Sequence, residues 1–252
     1  MESLNLQHLA IICDGNRRWG RANGLKMSVD FYLKSGLNGR DIAIAAFEQG
    51  VQNVSVWIGS VSNLVSRDRT EVAALDKAYR KFFEDQENLD YALKNQVILE
   101  CIGRWHELLK PETVAVIEKA MAATAHFPAD SRRFTVLIGY DGNDERGAAL
   151  GKILQKGSIE KSPPLGQPNS YETSQKLASL LRQNSWTGHL PDVDLLIRTG
   201  SKSDPHNSAG FLSLLTDNVQ YAFVDTLWPD FTSDHLTQIL SDFAARERRM
   251  GK

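Results

Sequence analysis

The sequence predicts an α/β fold: one domain over residues 1–252, built on a central, mostly parallel sheet of about six strands flanked by helices. Three observations carry this. Short apolar runs alternate with longer amphipathic ones, as in βα units. Composition is that of an ordinary globular chain, 42% hydrophobic and 24% charged. No internal repeat or composition shift marks a second domain.

The elements follow in order. Residues 8–13 (HLAIIC) and 53–60 (NVSVWIGS) are apolar runs of strand length. Between them, 40–49 carries Ile42, Ile44, Ala45 and Phe47 on one helical face. Residues 70–94 read as one long helix with a start signal at Thr70 before Glu71, and Val72, Leu75, Tyr79, Phe82 and Phe83 fall near helical spacing. A strand at 97–103 precedes a helix at 111–125 with Pro111 in its first turn. A strand at 134–140, helices at 144–155 and 171–183, strands at 194–199 and 219–224, and a helix at 232–249 complete the set. Residues 157–170 contain three prolines and read as a surface loop.

Composition excludes several function classes. A net charge of -2 and a pI of about 6.3 argue against a general nucleic-acid or anionic-membrane binder. Cys13 and Cys101 both lie in apolar runs and read as reduced core thiols, the cytoplasmic pattern. No signal peptide and no membrane span are visible. The P-loop, the dinucleotide fingerprint, the nucleophile elbow, zinc spacing and an aspartate-rich DDxxD motif are all missing.

In open α/β sheets, ligands bind at the carboxyl ends of strands. Those ends are polar here: Asp14-Gly15-Asn16-Arg17-Arg18-Trp19, then Ser60-Val61-Ser62-Asn63 with Arg67, then Asp141-Gly142-Asn143, then Arg198-Thr199-Gly200. A glycine lets the backbone turn closely past a ligand. Arg17 and Arg18 supply guanidinium forks suited to phosphate oxygens. Asp14 beside a polyanion makes sense where a hard cation bridges the two, and Mg²⁺ is commonly held by one or two carboxylates plus substrate phosphates. The rim therefore suits a diphosphate with Mg²⁺. Taken alone, Asp14-Gly15-Asn16 is equally a plain turn with solvated arginines.

Four segments in order resemble the cis-prenyltransferases, the family of undecaprenyl diphosphate synthase: HLAIICDGNRRW at 8–19, Gly139–Glu145, similar to the family's aromatic-glycine-glycine turn before an acidic helix start, VDLLIRTG at 193–200, and LWPDF at 227–231 with RERRMG at 246–251. The resemblance implies a single α/β domain, usually a homodimer, whose helices enclose a hydrophobic tunnel beside the sheet. It also implies a reaction: an allylic diphosphate ionises with Mg²⁺ and arginines stabilising the departing group, an alkene attacks, and a proton is lost. By position, Asp14 is the essential acid and a metal ligand, and Gly15, Asn16, Arg17, Arg18 and Trp19 surround the allylic diphosphate. Asn63 matches an asparagine with a proton-handling role, Ser60 its companion, with Val61 and Ser62 in the same turn. Arg67 matches the arginine that follows. Arg198 binds the second diphosphate, and Ser208 matches a serine of that site. Gln220 falls on a metal-binding glutamate.

The chain departs from the family pattern around the second substrate. Lys26 stands for an arginine, and the Gly-His pair after it is absent. The family's Phe-Ser-x-Glu-Asn-Trp is Gly59-Ser60-Val61-Ser62-Asn63-Leu64 here. The tract after Arg198 carries a short insertion and loses an arginine, with His206 or Lys202 the candidates to replace it. These changes weaken the isopentenyl diphosphate site more than the allylic one. The Ser-Val-x-Asn turn is similar to lavandulyl and cyclolavandulyl diphosphate synthases, which join two allylic units head-to-middle. The expectation is a short-chain or irregular enzyme acting on dimethylallyl, geranyl or farnesyl diphosphate. The competing readings are prenyl transfer to a non-isoprenoid acceptor, terpene cyclisation on the same scaffold, and a non-catalytic partner subunit.

Overall fold

The apolar runs pair, all in parallel, into a six-stranded sheet of order β3-β4-β2-β1-β5-β6. A computed structural model of the chain describes residues 6–157 and 170–246. In chain order the elements are β1 (His8–Ile12), α1 (Asn16–Ala22), α2 (Val29–Glu48), β2 (Asn53–Ser60), α3 (Val61–Ser66), α4 (Arg69–Glu84), α5 (Gln86–Lys94), β3 (Ile98–Ile102) and α6 (Trp105–Leu108). There follow α7 (Pro111–Thr124), β4 (Arg133–Tyr140), α8 (Gly142–Gln155), α9 (Tyr171–Asn184), β5 (Leu195–Arg198), β6 (Gln220–Phe223) and α10 (Ser233–Ala244), with short 3₁₀ turns at Ser208–Gly210 and Trp228–Asp230.

Successive strand residues face opposite sides of the sheet, so the buried strands feed two cores. Leu9, Ile11, Val54, Val56, Val136, Leu195 and Ile197 pack toward α2, α4, α7 and α10. Ala10, Ile12, Trp57, Leu137, Leu196 and Phe211 form the other core. β1 leads to β2 on one side and borders β5, which leads to β6 on the other. The reversal opens a crevice beyond the carboxyl ends of β1 and β5.

The expected strands are present, β2 with the expected bounds and the others trimmed or extended by one residue at one or both ends. The helices differ more. The 40–49 segment is the second half of α2, which starts eleven residues earlier, at Val29: Ser28 caps it by accepting from the Phe31 N–H. The 70–94 segment is two helices, because Asp85 leaves helical geometry and its carboxylate accepts from the Glu87 and Asn88 N–H groups. The first of the two is capped by Asp68, whose carboxylate accepts from the Thr70 N–H. Asp141 likewise caps α8. α1, α3 and α6 had no expected bounds. The 158–169 part of the proline-rich loop and residues 247–251 of the RERRMG ending lie outside the described residues.

Candidate active site

β1 ends at Ile12 and delivers Asp14 to the crevice. Its backbone is pinned there: the Asp14 carbonyl accepts from Thr199 Oγ1 at 2.7 Å and from the Trp228 N–H at 3.0 Å. Gly15 then turns the chain at φ +108°, and a Cβ there would stand 2.8 Å from Leu227 Cδ2, so only glycine fits. The Asp14 carboxylate, 36% exposed, sits between two guanidiniums: Arg198 Nη2 donates to Oδ2 at 2.9 Å, and Arg18 Nη2 lies 3.2 Å from Oδ1. Gly200, at φ +60°, leaves the space that Arg18 occupies; a Cβ there would meet Arg18 Nη2 at 2.6 Å.

Arg198 is buried. Its Nη1 donates to the His206 carbonyl at 2.8 Å and to Ser208 Oγ at 2.7 Å. Its Nε is buried with no hydrogen-bond partner among the described residues. Asn16 links α1 to its surroundings, donating to the Cys13 carbonyl and accepting from Ser35 Oγ at 2.8 Å. A second acid braces the other two arginines. Glu71 accepts from Arg67 Nη1 at 2.9 Å and from the Tyr32 hydroxyl at 2.5 Å, and its Oε1 lies 3.7 Å from Arg17 Nε. Burial first, and then this bond to Glu71, push the Tyr32 phenol above its ordinary range. Burial likewise pushes the Cys13 thiol up, so both stay protonated at neutral pH.

β2 ends in a capping box: Ser60 Oγ accepts from the Asn63 N–H at 3.0 Å, and Asn63 Oδ1 accepts from the Ser60 N–H at 3.3 Å. The Asn63 amide oxygen is thus occupied, leaving its NH₂ donors for a ligand. Gly59, where the family has phenylalanine, leaves room for a different aromatic. A Cβ there would stand 2.7 Å from the Tyr79 hydroxyl, which donates to the Ile58 carbonyl.

These groups surround a cavity of about 470 Å³. Its mouth carries Asp14, Gly15, Asn16, Arg17, Arg18, Ser60, Ser62, Asn63, Arg67, Arg198 and Ser208; its depth is lined by Val56, Leu75, Ala78, Phe82, Phe134 and Val136. Of the expected α4 wall, Leu75, Tyr79 and Phe82 line it and Val72 and Phe83 do not.

Five expected site residues stand outside the cavity lining. Trp19 packs against the Phe31 ring. Lys26 is exposed in the loop after α1. Val61 begins α3 beside the lining residues Ser60 and Ser62. The His206 ring contacts the Asp204 carbonyl and Ser208 Oγ, and its own carbonyl braces Arg198. Gln220 corrects the metal expectation. The register pairs it with Leu195, which is level with Leu9, so it stands at the opposite end of the sheet from Asp14, and its amide oxygen accepts from Arg246.

The sequence reading missed Arg21, Tyr32, Trp57, Asp141 and Ala209 in the lining. Arg21 lies one helical turn beyond Arg17, a spacing that only a recognised α1 would reveal. Asp141 carried a visible signal, its place at a strand end. No group of three or more His, Cys, Asp or Glu able to hold a metal is found among the described residues. Asp14 offers one carboxylate, which fits a Mg²⁺ ion whose remaining ligands come from substrate phosphates and water.

The undecaprenyl diphosphate synthase model of the prenyltransferases matches residues 12–251. The isoprenyl transferase of Chlamydia abortus is 31% identical, covering 100% of this chain and 94% of that protein. The isoprenyl transferase of Treponema denticola is 31% identical over 98% of this chain and 97% of its own. Among solved structures, lavandulyl diphosphate synthase from Lavandula x intermedia, in complex with dimethylallyl diphosphate, superposes with a TM-score of 0.82 at 22% identity, covering 100% of both chains. A probable undecaprenyl diphosphate synthase from Campylobacter jejuni superposes at 0.72 with 23% identity, covering 98% of this chain and 99% of that one.

Proposed function

The chain belongs to the prenyltransferase family of undecaprenyl diphosphate synthases, and on that premise we propose that it couples short isoprenyl diphosphates, in a regular short-chain or an irregular head-to-middle manner, rather than building long chains. The observation that carries the reading is the Asp14 carboxylate held between Arg198 and Arg18 at the mouth of a cavity whose depth is apolar. The polar end suits a diphosphate, and the apolar end a prenyl chain.

Arg17, Arg18 and Arg21 on α1 and Arg67 after α3 offer guanidinium donors to the allylic diphosphate. The Asn63 NH₂ group donates to it from the β2 side. Because Asp14 and Glu71 already hold four of the arginines, little reorganisation accompanies the build-up of charge on the leaving group. Mg²⁺ held by Asp14 and the diphosphate would add Lewis-acid stabilisation of that charge. Val56, Leu75, Phe82 and Phe134 exclude water from the allylic cation. The short-chain reading rests on Phe82 and Phe134, which close the deep end, and on the second-substrate side, where Ser62 and Leu64 replace an acid and an aromatic of the family pattern. A homodimer is proposed from the family resemblance, and light scattering tests it.

The deciding experiment incubates purified protein with Mg²⁺ and dimethylallyl, geranyl or farnesyl diphosphate, with and without isopentenyl diphosphate, and identifies the products. Branched or cyclic diphosphates made without isopentenyl diphosphate support irregular coupling, and short linear Z-products support the regular reaction. Long linear products refute the short-chain reading. No turnover under any condition refutes coupling and leaves the partner-subunit reading.

A further inference from the structure

Coupling releases one proton from the attacked alkene, and most cavity groups are unable to take it. Asp14 is paired with Arg198 and Arg18. Glu71 is engaged through Oε1 by Tyr32 and two arginines and does not line the cavity. The Tyr32 hydroxyl already donates to Glu71 Oε1, and the Cys13 thiol is only a weak acceptor. The Asn63 amide is no base, and its oxygen already accepts from the Ser60 N–H.

Asp141 differs from all of these. It lines the same cavity from the carboxyl end of β4, in the second position of the Tyr140-Asp141-Gly142 turn, where the family pattern has glycine. Its Oδ1 accepts from the Asn143 and Asp144 N–H groups. Its Oδ2 has no partner among the described residues, and no cation pairs with it there. The neighbouring charges are spoken for: Arg104 grips Asp144, Arg146 donates to Ser213 and Asn143, and Glu145 binds Tyr140 and Thr187. Across the cavity, Arg198 is engaged by Asp14, His206 and Ser208. β2 lies between β4 and β1, so two strand spacings, about 10 Å, separate the Asp141 rim from the Asp14 rim. That span lets a diphosphate sit at Asp14 while the acceptor carbon sits near Asp141.

We propose that Asp141 is the general base of the coupling, an inference that rests on the reading above. The allylic C–O bond breaks and its electron pair leaves with the diphosphate. The acceptor's π pair forms the new C–C bond. A C–H bond beside the resulting cation then breaks, its pair forms the product alkene, and the proton passes to Asp141 Oδ2 and from there to water.

The test is Asp141→Asn, which keeps the cap because asparagine caps as well as aspartate. Expected are unchanged thermal unfolding, an unchanged KM for the allylic diphosphate and a kcat lower by roughly 10²-fold or more. A coupled diphosphate bearing a new hydroxyl group should accumulate as water captures the cation left after the C–C bond forms, and Asp141→Glu should recover part of the rate. A variant within twofold of wild type, or one that raises KM alone, overturns the assignment while coupling stands; the proton would then leave with the diphosphate. A wild-type protein that turns over no isoprenyl diphosphate sinks the coupling reading, and the base with it.

Discussion

Lowering the pH from 8 to 5 should loosen the sheet at His8. This residue starts β1 fully buried, its Nδ1 donating to the Pro191 carbonyl and its Nε2 meeting Ser55 Oγ on β2, each at 2.8 Å. Burial lowers its pKa from 6.5 to about 4. Above the unfolded value both states are neutral and no free energy is at stake. As the pH falls through the window from 6.5 to about 4, the unfolded chain gains a proton that the folded chain refuses, so stability drops. At 1.36 kcal/mol per unit the loss reaches about 3 kcal/mol across the window and about 2 kcal/mol at pH 5. Urea unfolding of wild type and His8→Gln at pH 8 and pH 5 isolates it. Wild type should lose about 2 kcal/mol more than the variant, with equal m-values. Parallel losses would show that His8 is not held neutral. Because β1 and β2 end in the segments bearing Asp14 and Ser60, activity should fail on the same acid limb.

The remaining predictions concern the cavity. Asp14→Asn keeps an oxygen for a guanidinium but removes the charge; kcat should fall by roughly 10²–10³-fold with an unchanged circular dichroism spectrum, and near-normal turnover would remove Asp14 from the chemistry. Gln220→Glu should leave the magnesium dependence of turnover unchanged, since Gln220 stands at the far end of the sheet and binds Arg246; a tighter magnesium titration would refute that placement. Phe82→Ala should lengthen the product, because Phe82 and Phe134 separate the main cavity from a small apolar pocket beside Phe47 and Leu99. The same change should cost about 3–5 kcal/mol of stability, so product analysis belongs at low temperature, and an unchanged product length would show that the partition sets nothing.

The strands were legible because burial on both faces leaves continuous apolar runs, as in β1, where all five residues are buried. α1 and α3 were not, since seven and six residues are too short for a periodic signal. The first half of α2 was masked by Gly36 and Gly39, poor helix formers at positions where a Cβ would make only ordinary contact, with Phe82 at 3.4 Å and with Trp228 at 3.7 Å. The break at Asp85 was hidden because apolar spacing continues across it. At the site, Asp14, Arg18 and Arg198 were readable from strand-end position and motif. Gln220 was misplaced because counting back from Leu227 fixes sequence distance and not which end of β6 a residue occupies. Glu71 was unreadable, since its meaning depends on Tyr32 and Arg17 arriving from other elements.

The departures from the family pattern fall on one side of the cavity, and charge explains why that matters. On the allylic side two carboxylates brace four guanidiniums: Asp14 holds Arg18 and Arg198, and Glu71 holds Arg17 and Arg67. The surplus of two positive charges is already oriented, so one diphosphate with its cation is matched without rearrangement. For a second diphosphate the described lining adds only Ser208 beside Arg198, which is already counted and already binds both Ser208 and Asp14. Lys202 and His206 do not line the cavity, Ser62 brings no charge, and Leu64 has turned into the core. A second diphosphate would therefore compete for Arg198 with Asp14, which binds the second substrate more weakly than the first. An acceptor that carries no diphosphate suffers least from this asymmetry, whereas a second allylic diphosphate and isopentenyl diphosphate, which share one head group, suffer it alike.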